Sequence, residues 1–201
     1  MVEPITEPSR INYFFGRLLT PEDFQQEQQA IRARHWLHNR LLHGFGIVTG
    51  FDVTVDAESI EVSAGVAIDA LGREVILVEP RCLRLDPDLL GADNGASVDV
   101  VVAWAEEPDG EVPGPDGPVP ARFVERPVVA VACDPTTVVP EHAMPLARLV
   151  RRGDEVVADR SARQPFVPAS THGTRDRPKR PAPTPLAVPG GISDLVGDQS
   201  R

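Results

Sequence analysis

Three histidines, His35, His38 and His43, fall within nine residues of one another. Imidazoles in such a cluster raise the question of a metal centre first. His35 and His38 share one helical face at i and i+3, but a catalytic zinc needs a third ligand and an open position. On a continuous α-helix His43 comes out nearly opposite His38, so the spacing argues against a three-histidine site, and the position of His43 near the negative end of the helix gives it a structural role. Gly44-Phe-Gly-Ile-Val-Thr-Gly50 has the glycine density of a phosphate loop. A phosphate loop, however, runs from strand through glycines to helix, so that backbone N–H groups face the anion. Here the order is helix, glycines, strand, which reads as a helix stop followed by glycines that let the chain pass tightly against another backbone. No Gly-x-Ser-x-Gly elbow occurs, and no pair of carboxylates stands out for acid–base work. Cys82 and Cys133 lie 51 positions apart without a CxxC spacing, which indicates neither a disulfide framework nor a zinc knuckle. Trp36 and Trp104 read as packing residues. No catalytic residue, metal or cofactor is therefore assigned.

Composition narrows the classes further. The 201 residues carry 30 acids against 20 bases, a net charge of −10, which repels a phosphate backbone and argues against nucleic acid as a partner. The N-terminus lacks an apolar signal core, and the longest apolar run, Val128–Cys133, is six residues, far short of the roughly 20 needed to span a bilayer. The chain reads as a soluble protein of a reducing compartment, without membrane insertion.

The elements that would position any site divide the chain into three segments. Residues 1–45 form an aromatic arm and a helix. Thr20-Pro21-Glu22-Asp23 supplies an N-cap hydroxyl, a proline at the first helical position and acids at the positive end of the dipole. Neither proline nor glycine recurs until Gly44, so a helix is expected over Pro21–His43. Its apolar side is thin, with Phe24, Ala30, Ile31, Leu37, Leu41 and Leu42, and its first half is rich in glutamine, so half of it is expected to stand clear of its own domain. Residues 46–164 read as an antiparallel β domain, a sandwich or small open barrel, making the fold class mostly β (α+β). Strands are expected at Ile47–Val55, Ile60–Ile68, Glu74–Val78, Val98–Ala105, Phe123–Ala132, Pro145–Val150 and Glu155–Ala158, with a Gly/Pro-rich excursion from Glu107 to Pro120. Gly72 is expected at a hairpin reversal with positive φ. Residues 165–201 hold seven of the 21 prolines and read as a disordered tail outside the core. Near its end Ile192, Leu195 and Val196 form a short apolar cluster suited to docking on a partner.

The run Ile11-Asn-Tyr-Phe-Phe-Gly-Arg-Leu-Leu-Thr-Pro-Glu-Asp-Phe24, then Glu27-Gln28, then His38-Asn-Arg-Leu-Leu-His-Gly-Phe-Gly-Ile-Val-Thr-Gly50 resembles the N-terminal region of baseplate and tail-fibre proteins of tailed phages and phage-tail-like contractile injection systems. Ala64-Gly-Val-Ala-Ile-Asp-Ala-Leu-Gly-Arg-Glu-Val75 resembles their next motif, and Met144-Pro-Leu-Ala-Arg-Leu149 a later strand. Phe51 departs from the pattern, in which leucine is common. The likeness covers residues 10 to 165; the tail has no counterpart. It implies a structural subunit without a catalytic step, at the baseplate or joining fibre to baseplate, assembled in the cytoplasm of the producing cell into a particle that can be released. Its partners would be other baseplate, sheath–tube or fibre subunits and further copies of itself, with a trimer expected. The interface residues under this reading are Asn12, Tyr13, Phe14, Phe15, Phe24, Ile31 and Leu37, with Ile192, Leu195 and Val196 on the tail. Two other readings stay open on the residues alone: a free carbohydrate- or peptide-binding β-sandwich, and an enzyme of unknown reaction.

Overall fold

The computed structural model describes residues 7–56, 58–85, 90, 95–132 and 140–169. The expected tail docking residues Ile192, Leu195 and Val196 lie outside these, as does Cys133.

Helix α1 spans Pro21–His38 and begins at the N-cap foreseen from its sequence, which the structure completes into a capping box. The Thr20 hydroxyl accepts from the Asp23 backbone N–H at 3.4 Å, and the Asp23 carboxylate accepts from the Thr20 N–H at 3.0 Å. The helical path continues to His43, but its last five residues, Asn39–His43, widen into a π-turn before Gly44 ends it at φ 104°. Not half but all of α1 lacks a buried residue.

Thirteen strands follow among the described residues: β1 Gly44–Gly50, β2 Val53–Val55, β3 Ser59–Val62, β4 Gly65–Ile68, β5 Glu74–Leu77, β6 Arg81–Arg84, β7 Ser97–Ala103, β8 Glu106–Gly114, β9 Gly117–Glu125, β10 Val128–Val131, β11 Met144–Arg152, β12 Glu155–Asp159 and β13 Val167–Pro168. The fold is mostly β, a helix followed by antiparallel sheets. They are ordered β13-β1-β4-β5, β10-β7-β11-β12, β2-β3-β6 and β8-β9. One apolar cluster joins the first three, with Phe51, Ile60, Val62, Val75, Val100 and Leu146 at its centre.

Several strand expectations are corrected. Phe123–Ala132 divides between β9 and β10. Ile47–Val55 and Ile60–Ile68 each divide in two, because the pair turns a corner from one sheet into another. At the corner Phe51 takes φ 56°, its N–H donates to the Ala64 carbonyl at 3.2 Å, and its ring lies against Gly65, where a Cβ would stand 2.6 Å from the ring. Burying that ring completely offsets a backbone conformation that a non-glycine residue rarely adopts. The excursion from Glu107 to Pro120 is instead a regular hairpin, β8-β9, closed by two residues between Gly114 and Gly117. In that register Pro113, Pro118 and Pro120 occupy positions whose N–H would point away from the partner strand, so no ladder bond is lost. β6, unforeseen, pairs with β3. β13, within the stretch read from sequence as tail, pairs with β1 at Gly44↔Pro168 and Phe45↔Val167, so strand pairing extends to Pro168.

Candidate functional site: an interaction surface

Residues of two motif runs meet beneath α1, Asn39 and Gly72 being 33 positions apart. Asp69 is fully buried, and one carboxylate oxygen accepts from the Leu71 and Arg73 N–H groups at 2.9 Å each while the other accepts from Arg73 Nε at 2.6 Å. This shapes the reversal that carries Gly72 at φ 88°, the conformation expected there. A Cβ on Gly72 would stand 2.0 Å from the Trp36 carbonyl oxygen, so only glycine lets helix and turn approach this closely. Buried Asn39, in the π-turn, donates from Nδ2 to the Gly72 carbonyl at 3.1 Å, and His35 Nε2 lies 3.1 Å from the Glu74 carboxylate. Beside this junction Trp36 and Trp104 meet edge to face at 6.0 Å, with the Arg73 guanidinium 4.7 Å above Trp104 and Arg32 5.2 Å from Trp36. Arg32 also pairs with Glu106 at 2.7 Å. The helix is thus latched by polar, cation–π and close-backbone contacts rather than by an apolar stripe. Both tryptophans pack, as their sequence contexts indicated.

The glycine run behaves as its order of elements implied. A Cβ on Gly46 would stand 2.2 Å from the Pro165 carbonyl oxygen, so the glycine lets the two segments lie against each other. No helix follows the glycines to make an anion site.

The arm ahead of the helix buries Ile11 and is otherwise pinned at the surface. Arg17 bridges the Asn12 carbonyl at 2.7 Å and the Asp23 carboxylate at 2.8 Å. The Tyr13 hydroxyl donates to Glu27, and this hydrogen bond favours the protonated phenol, raising it above its usual range. Asn12, Tyr13, Phe14 and Phe15 are all exposed, Phe15 completely, and so are Leu18, Phe24, Ile31, Leu41 and Leu42. Leu37 differs from the rest of the expected set. It is half-buried.

A second surface was not foreseen. In the β8-β9 register Pro108, Gly110 and Val112 share one face with Val119, Ala121 and Phe123, while Glu107, Asp109, Glu111 and Arg122 share the other. The hairpin is amphipathic, yet Val112, Val119 and Phe123 stay exposed. Glu106 and Glu125, at the base of the apolar face, reach respectively Arg32 of α1 and a cleft of about 440 Å³ lined also by Ile76, Val78 and Pro80. Glu74, Ile76 and Val78 alternate with the buried Val75 and Leu77 and share their outward side with α1. Ile76 and Val78 of β5 thus line one cleft with the base of the hairpin. The only signal in the sequence was the alternation of Val112, Val119, Ala121 and Phe123, which six intervening prolines and glycines obscured.

The three-histidine expectation needs one correction. His43 is not opposite His38: the π-turn brings their Nε2 atoms to 3.0 Å of each other. Among the described residues no three His, Cys, Asp or Glu groups gather as metal ligands, and no helix is long and apolar enough to cross a membrane.

Neither a scan against protein-family models nor a search of curated proteins finds a match for this chain. Among solved structures, the chain is similar to one of the TssK-TssF-TssG baseplate subcomplex of the type VI secretion system, at 17% identity and a TM-score of 0.48 over 81% of this chain and 62% of that one. It is similar to a crystal structure of TssK at 14% identity and TM-score 0.48, over 76% of this chain and 41% of that one. A third similar structure, of the baseplate complex from the type VI secretion system, gives 16% identity and TM-score 0.44, over 77% and 58%. The chain thus spans less than two thirds of each of these structural neighbours, which are baseplate components of a secretion system.

Proposed function

We propose that the chain is a structural subunit of a phage-tail-like contractile particle, placed at the baseplate or joining a fibre to it. One observation carries this reading: α1 runs for 18 residues without burying one, and it presents Phe24 and Ile31 beside the exposed aromatics Tyr13, Phe14 and Phe15. Most helices in proteins draw their stability from packing an apolar face, and an exposed apolar patch of this kind marks an interaction site. The motif resemblance of residues 10 to 165 supports the same reading. In it, residues 1–45 are the interface segment, the α1 face meets further copies of this chain, and a trimer forms. The segment beyond Ala169 then acts as a tether through Ile192, Leu195 and Val196 to a baseplate, sheath–tube or fibre subunit. Assembly takes place in the cytoplasm, and the role calls for no catalytic step.

The test has two arms. Light scattering of the full chain should give an oligomer whose mass falls to that of a monomer on Ile31→Glu, with the fold unchanged because Ile31 is exposed. In native lysate the protein should sediment with sheath-and-tube particles. A monomeric parent that never sediments with such particles would overturn the reading, and glycan binding by that monomer would favour the free β-sandwich module.

A further inference from the structure

We infer that His38 and His43 form a two-histidine chelate for a divalent transition-metal ion of the imidazole-preferring class, copper or nickel ahead of zinc. The observation is their geometry. Nε2 of one ring lies 3.0 Å from Nε2 of the other, with ring centres 4.8 Å apart and planes inclined at 62°. Two nitrogens bound at ~2.1 Å to one ion, roughly 90° apart, stand ~3.0 Å from each other. A collinear N–H···N bond of the same length would hold the ring centres ~5.3 Å apart. The shorter observed separation means that the ring axes bend away from collinearity, as a chelate requires. A bite near 90° suits tetragonal copper and nickel better than the wider angle of tetrahedral zinc.

The backbone explains why residues five apart can converge. The π-turn over Asn39–His43 repeats at i to i+5, bringing His43 back to the face of His38. Both ends of that turn are fixed. Asn39 is buried and bonded to the Gly72 carbonyl, and the Gly44 N–H donates to the Asn39 carbonyl where Gly44 lies against the Val167 backbone. The backbone that carries the two donors is therefore fixed before any ion arrives. Both rings are exposed, so the ion has access and water can complete its shell. His35 is not a third ligand, since its Nε2 faces Glu74.

The experiment titrates the untagged full chain with nickel, copper(II) and zinc chlorides at pH 7.5 in a non-coordinating buffer, by calorimetry. Saturable binding of one ion per chain in the micromolar range is expected. His38→Ala and His43→Ala should each weaken it at least tenfold, whereas His35→Ala should leave it within twofold. Paramagnetic resonance of the copper-loaded protein should show two imidazole nitrogens, reduced to one in either variant. Circular dichroism checks that the variants keep the fold, and because both side chains are exposed no loss is expected. Absence of saturable binding in the parent, or binding and spectra that both variants leave unchanged, overturns the inference.

Discussion

Gly72 has two independent reasons to be glycine. Its φ of 88° is one that residues with a Cβ rarely adopt, and a Cβ there would be driven into the Trp36 carbonyl. The first reason was visible in Ala70-Leu71-Gly72-Arg73 as a turn, whereas the second exists only because α1 lies on that turn. Gly72→Val should therefore destabilise the protein by about 1–3 kcal/mol from backbone strain alone, with a further loss from separation of helix and turn. Thermal melting should show the first effect. Hydrogen exchange should show the second as lost protection across the π-turn, where Asn39 loses its hold on the Gly72 carbonyl. An unaltered melt would mean that the helix does not rest on the turn. Asn39 and Asp69 belong to the same junction. They are the two buried polar residues among the described positions, and both satisfy backbone groups of one reversal.

At the scale of elements, α1 depends on its ends because its middle buries nothing. The Asp23 carboxylate accepts from the Thr20 N–H and faces Arg17; the backbone bond is the larger of the causes that hold it below the ordinary carboxylate range. A group whose folded pKa is depressed adds stability above its unfolded pKa and loses it as pH falls through the folded value. Protection of the amides early in α1 should thus be full near neutral pH and decline below roughly pH 4. Asp23→Asn should show weaker protection at neutral pH and little acid dependence from this group, so that the two proteins converge in acid. Hydrogen exchange at pH 7 and pH 3, corrected for intrinsic rates, measures both. A gap that widened on acidification would assign the cap to another residue. The β8-β9 hairpin is the other element without a core beneath its apolar face. Two-stranded hairpins are marginal alone in water, and the ion pairs Arg122–Asp109 and Arg126–Glu107 brace its charged side.

For the whole molecule, the main consequence of the tertiary structure is that the chain closes on itself. β13 lies beside β1, and the Ile47 N–H donates to the Gln164 carbonyl at 3.2 Å. Truncation after Ala169 should leave the melting temperature nearly unchanged, since every paired residue described is retained. Truncation after Pro165 removes the partner of Gly44 and Phe45 and should lower it by several degrees, for a loss on the order of 1–2 kcal/mol. Equal melting temperatures for the two truncations would show that β13 adds nothing to the sheet.

The sequence by itself determined the capped start of α1, the predominance of β structure, the Gly72 reversal and the exclusion of a glycine-loop phosphate site. These follow from local backbone preferences that act over a few residues. The exposure of half of the helix was legible for the same reason, because its apolar face at helical spacing is thin; that the other half buries nothing either was not. Tertiary structure alone decided the rest. The corner at Phe51 requires Gly65 from another strand, and the amphipathic face of the hairpin requires a register that its prolines concealed. The convergence of His38 and His43 depends on a π-turn held between Gly72 on one side and Val167 on the other. Each of these arises between residues distant in the chain, where side-chain volume and hydrogen-bond geometry override local periodicity.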